Sequence, residues 1–166
     1  MPGSFVCGIC GRNHEGAPLS WGPDAPDAWI SIPAGNRAEN SELGSDQCIL
    51  DGRFFVRGRI EIPVIGTEEI FAWLVWAEVS NTDFMNISRL WTTAGREKQA
   101  SIYDGRIANE LPIYPSPTLG VAVRLHTRPV GERPFFEVAG EHAVRDEQRN
   151  GISSHRVQEI ADILTQ

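Results

Sequence analysis

From Phe54 onward the chain alternates: Val56, Ile60 and Ile62 fall on one side of an extended segment, and Arg57, Arg59 and Glu61 on the other. A period of two marks a strand with one face buried. Pro63 ends it, Gly66 to Glu69 supply a turn, and the run IFAWLVWAEV that follows is apolar on both faces, as a strand in mid-sheet requires. Together the two runs predict a β-hairpin.

The period then lengthens. Asn81 or Thr82 caps an expected helix, Asp83 suits its positive end, Phe84, Ile87 and Trp91 recur at helical spacing, and Gly95 stops it. Further strands are expected near 103–111, 119–127 and 134–138, separated by YPSP and RPVGERP. A short helix over 141–149 stops at Gly151, and Ser153 caps a last helix bearing Val157, Ile160 and Leu164. The predicted fold class is α+β: one domain over residues 1–166, with a mainly antiparallel meander sheet and helices on one side.

Residues 1–50 read differently. They are rich in Gly, Pro, Ser and Asn, and Pro18, Pro23, Pro26 and Pro33 prevent long helices or central strands. An irregular segment of this length needs something to pin it, such as a bound metal or the buried anchors Trp21 and Trp29.

Composition narrows the function classes. The apolar fraction of 41% and charged fraction of 22% are those of a globular chain, and 166 residues suffice for one core. The net charge of −7 gives no footprint for nucleic acid, whose phosphates need clustered Lys and Arg. No stretch reaches the roughly 18 apolar residues of a membrane helix, and residues 1–7 do not read as a signal peptide, so a cytoplasmic location is expected.

The sharpest local motif is Cys7-Gly8-Ile9-Cys10-Gly11, followed by His14. Two thiolates two residues apart can bite one tetrahedral ion, and Gly11 permits the knuckle turn that aims backbone N–H groups at the sulfurs. Cys48 supplies a third thiolate, and His14 the nearest fourth ligand, with His142 or Asp46 as alternatives. A closed, structural zinc is the expected cofactor. The competing readings are a redox pair at Cys7 and Cys10 and three ordinary reduced cysteines.

Other constellations have a plain reading beside the functional one. Arg57, Arg59 and Glu61 on one strand with Arg124, His126 and Arg128 on another could grip an anion, but read first as a solvated face with cross-strand ion pairs. His142, Glu147 and Gln148 could do acid–base work, but read first as a helix surface. The tryptophans, including Trp73, Trp76 and Trp91, are read as core, with an aromatic-lined ligand pocket as the alternative. Nucleophile-elbow, phosphate-loop and dinucleotide motifs do not occur.

Taken together, CGICGRNH, PLSWGPDAPDAW, SDQCILDGRFFVRGRIEIPV, LPIYP, RPVGERP, EQRNGIS and RVQEI resemble an uncharacterised bacterial family, domain of unknown function 2199. The resemblance spans nearly the whole chain and implies no established activity or substrate. It implies a metal site at Cys7, Cys10, His14 and Cys48, with His142 near the C-terminus. Leu74 stands where that pattern has a glycine, and Ala143 and Val144 where it has Pro-Leu. These departures leave the metal positions intact and alter the segments around any shared pocket.

The leading expectation is a non-enzymatic, zinc-stabilised binding or regulatory protein whose partner is an unknown protein or small molecule. A metal-dependent hydrolase with His142 or Glu147 as proton carrier, and a redox-responsive protein built on Cys7 and Cys10, are the alternatives.

Overall fold

The computed structural model describes residues 17–165 and the backbone of two short paired strands, β1 (Phe5–Val6) and β2 (Asn13–His14). Three short strands and a helix follow: β3 (Ser20–Trp21), α1 (Asp27–Ser31), β4 (Glu42–Leu43) and β5 (Gln47–Leu50). Asp51 and Gly52, both with positive φ, turn the chain from β5 into β6 (Arg53–Pro63), as an Asp-Gly pair does in a two-residue hairpin. The sheet thus begins before the alternating run, inside the segment expected to be irregular.

β6 pairs along its length with β7 (Ile70–Val79), which confirms the hairpin read from the pattern. The meander continues antiparallel through β8 (Tyr103–Ile107), β9 (Ala122–His126) and β10 (Phe135–Val138). β10 then returns to β6, with Phe135 opposite Arg59. The first and fifth strands of a meander run the same way, so this closing pair is parallel, and the expected open sheet is a five-stranded barrel. β3 also joins in parallel, on the part of β7's edge that β8 leaves free.

Even positions of β6 and odd positions of β7 fill the barrel: Val56, Ile60, Ile62, Phe71, Trp73 and Val75 are buried beside Leu125 and Phe136. The opposite faces carry a smaller second core, in which Cys48, Leu50, Phe55, Trp76 and Ala108 pack under Trp29 and Leu43. This outer core holds the N-terminal half to the barrel. Apolar residues on both faces of β7 are explained by these two cores.

Closure also moves the helices. A closed sheet offers no single open side: α1 packs on the outer core, while the helix after β7 and the pair after β10 stand near opposite ends of β6, which corrects the one-sided arrangement. α2 (Asn81–Arg89) sits where β6 begins, with the Phe84 and Phe54 rings 5.1 Å apart, and its cap is Ser80, one residue earlier than expected. It ends at Leu90, and Gly95, at φ +78, starts a short helix, α3 (Arg96–Gln99). α4 (Ala143–Asn150) and α5 (Ser154–Leu164) lie where β6 ends, with Gly151 between them and Val64 bridged to Ile152. Ser153 caps α5 as expected, and Val157 and Ile160 are buried.

Candidate functional site

Of the expected metal ligands, Cys7 and Cys10 lie outside the described residues, and His14 is described only as backbone. Cys48 is fully buried in the outer core, and that burial pushes its thiol up to about 11. Among the described residues no group of three or more His, Cys, Asp or Glu side chains could hold a metal ion.

His142, the alternative ligand, uses both ring nitrogens. Nδ1 accepts from the Val144 N–H and so caps α4, while Nε2 lies 3.0 Å from the Ser116 carbonyl. Its ring stands edge-on to Tyr114, with centroids 5.3 Å apart. Tyr114 accepts from Trp73 Nε1 at 3.0 Å and donates to Glu147, whose other oxygen accepts from Arg156 at 3.0 Å. Burial, with Glu147 beside it, pushes the Tyr114 phenol far up, which keeps it a neutral donor. His142 and Glu147 are thus brought together around Tyr114. Gln148 instead ties α4 to β10 through Phe136 O and Val138 N. These bonds hold the helices to the barrel end.

The charged face divides in the same manner. Arg128 grips Glu61 with two bonds of 2.8 Å, and Arg59 adds a third at 2.9 Å. The Arg128 bonds, ahead of those from Arg59, hold the Glu61 carboxyl below its ordinary range. His126 lies 3.0 Å from Glu137, and Arg124 is in register with Asp104 and Glu137. This is the cross-strand ion-pair pattern of a solvated sheet face. Arg57 departs from it, being buried where its neighbours are not.

A cleft of about 260 Å³ opens between β3, the chain after β8 and the end of α5. Trp21, Trp73, Pro112 and Leu164 give it apolar walls, and Asp27 and Glu110 give it two carboxylates. Its shape rests on Asn109, which is fully buried. The Asn109 amide donates to Ala25 O and Asp27 Oδ1 and accepts from the Trp76 N–H. Asp27 also accepts from the Glu110 N–H, and Glu110 from the Leu119 N–H, so hydrogen bonds orient both carboxylates. Trp21 Nε1 is buried without a hydrogen-bond partner among the described residues.

The sequence marks Trp21 as an expected buried anchor and Trp73 as expected core. Trp73 is core, at 1% exposure, yet also forms a wall of the cleft. No local sequence pattern marks Asn109, because its side-chain partners Ala25, Asp27 and Trp76 lie far away along the chain.

No curated protein and no solved structure matches this chain. A family model described as "uncharacterized protein conserved in bacteria" matches residues 6–152. That match covers the barrel, α4 and the expected metal positions, so the chain belongs to the DUF2199 family, as its motifs suggested.

Proposed function

We propose that this chain is a zinc-stabilised binding protein that takes a small organic cation into the cleft between Trp21, Trp73 and Glu110. The observation that carries the reading is the make-up of the cleft: two indoles, two carboxylates and, among the described residues lining it, no basic one. Among the described residues, Asp27 and Glu110 accept hydrogen bonds only from uncharged donors, Asn109 Nδ2 and backbone N–H groups, and form no salt bridge, so their charge is oriented and not neutralised. A cation near an indole face gains from the ring quadrupole, and a carboxylate beside it adds Coulomb attraction. The volume suits a ligand of a few heavy atoms or one basic side chain.

Zinc belongs to the same proposal, with Cys7, Cys10, Cys48 and His14 as ligands. Support comes from the pairing of β1 with β2, Phe5 opposite His14, because Cys7 and Cys10 fall between these strands in sequence. Cys48, as a buried thiol, would give up its proton to the ion. The N-terminal segment leads directly into β3, which carries Trp21. A metal there would steady one wall of the cleft.

The test is tryptophan fluorescence during titration with choline, spermidine and arginine amide, set against the uncharged carbon isostere of choline. Saturable quenching by at least one cation, little by the isostere, and affinity reduced severalfold in Glu110→Gln is the expected result. Equal responses to choline and its isostere, or no response to any of the three cations, rejects the cleft as a cation site.

A further inference from the structure

The residues that form the Trp21 cleft adjoin apolar side chains that the fold leaves in water. Ile30 follows Asp27 by three positions on α1 and so lies beside it on one helical face. Leu119 donates its N–H to Glu110, and Ile163 precedes the lining residue Leu164 near the end of α5. All three are between 40% and 62% exposed. Single exposed apolar residues are ordinary on a protein surface. Three of them, from three separate segments, each next to a residue lining one acidic cleft, are the pattern of a contact surface. A free small cation would fill the cleft and leave all three in water.

The charge at the centre says what such a partner carries. Both oxygens of Asp27 accept a hydrogen bond, Oδ1 from Asn109 Nδ2 and Oδ2 from the Glu110 N–H. Glu110 Oε1 accepts from the Leu119 N–H, while Oε2 accepts none among the described residues. An open carboxylate oxygen asks for a donor, and two indoles ask for a flat cation. A guanidinium answers both, with N–H groups in its plane and a face that stacks on a ring. A quaternary ammonium has no donor, and a primary ammonium has no flat face. The net charge of −7 also draws a basic partner toward the chain.

We propose that this surface docks a segment of a partner protein, whose arginine enters the cleft while its neighbouring apolar side chains cover Ile30, Leu119 and Ile163. An arginine held in a pocket and ringed by contacts that exclude water is a common centre of binding energy in an interface. The inference rests on the cation reading of the cleft and names the kind of molecule that carries the cation.

The experiment compares three probes on the full-length chain by calorimetry: arginine amide, the capped peptide Ser-Leu-Ser-Arg-Ser-Leu-Ser, and the same peptide with serine at both leucines. The spacing puts both leucines on the arginine's side of an extended chain. The leucine peptide should bind roughly tenfold or more tightly than the serine peptide. Ile30→Ser and Ile163→Ser should each reduce that advantage severalfold and leave the affinity for arginine amide unchanged. Both side chains are exposed, so the two variants should keep the wild-type Tm. Glu110→Gln should weaken all three probes. Equal affinity for the two peptides, or an advantage that survives both isoleucine substitutions, overturns the docking surface, and binding of arginine amide in the same series leaves the cation site standing. A leucine peptide that binds Glu110→Gln as tightly as wild type also overturns it, because the arginine would then lie elsewhere. Silence from all three probes removes the cation site and this surface with it.

Discussion

Gly58 and Phe136 meet across the barrel wall so closely that a Cβ on Gly58 would lie 2.3 Å from the Phe136 ring. The ring is fully buried and cannot retreat without opening the core. Glycine here is therefore a steric requirement of closure. Gly58→Ala should destabilise the fold by about 3 kcal/mol through overpacking, read as a lower midpoint in urea. An unchanged midpoint would mean that β10 does not close on β6.

Tyr114 joins Trp73 to Glu147, so Tyr114→Phe should strand a buried indole N–H and a carboxylate oxygen, at about 2 kcal/mol. The pH dependence carries a second signature. The folded pKa is raised above the unfolded value of about 10, so this stability is complete below that pH and is lost as pH rises past it. Denaturation series at increasing alkaline pH should show a steeper loss in the wild type than in Tyr114→Phe.

At the acid end the sign reverses. The Glu61 carboxyl is depressed by Arg128 and then Arg59, so its stabilisation is present above the unfolded pKa of about 4.3 and is lost as pH falls through the lower, folded value. Glu61→Gln should remove about 1 to 2 kcal/mol at neutral pH and less at pH 3. Parallel acid titrations followed by circular dichroism would reveal the convergence, and curves that stay apart would contradict it.

Asn109 ties three segments with its one amide. Replacing it by alanine frees the Trp76 N–H and the Ala25 carbonyl, at about 3 kcal/mol, and slackens the loop that carries Glu110. Hydrogen exchange at Trp76 and Glu110 should accelerate together. Acceleration at only one of them would mean that Asn109 does not couple the two.

For the metal, purified tag-free protein should contain about one zinc per chain, lost with chelation and in Cys48→Ser. Elemental analysis with and without the substitution decides this. A metal-free wild type would leave Cys48 as a core thiol.

The β6–β7 hairpin and the α5 cap were legible because period two and Ser153 are local signals. The barrel was not. Closure depends on Gly58 meeting Phe136 and on Arg59 pairing with Phe135, and an isolated glycine within a strand pattern does not say what approaches it. Arg96 was illegible for the same reason. It looks like a surface residue of a short helix, yet it is 6% exposed and donates to the carbonyls of Trp91, Arg128, Pro129 and Glu132. The cleft was half legible, since its tryptophans stood out while the side chain that shapes it did not.

The parallel pair that completes the ring also sets an order of events. On the ribosome, β6 to β9 emerge before β10, so Ile60 and Ile62 wait beside an open seam until Phe135 arrives. Nothing local can shorten that wait, because the contact joins the two extremes of the meander. A nascent chain halted before residue 134 would display a curved sheet with two unpaired margins, the kind of surface that chaperones shield and neighbouring chains extend.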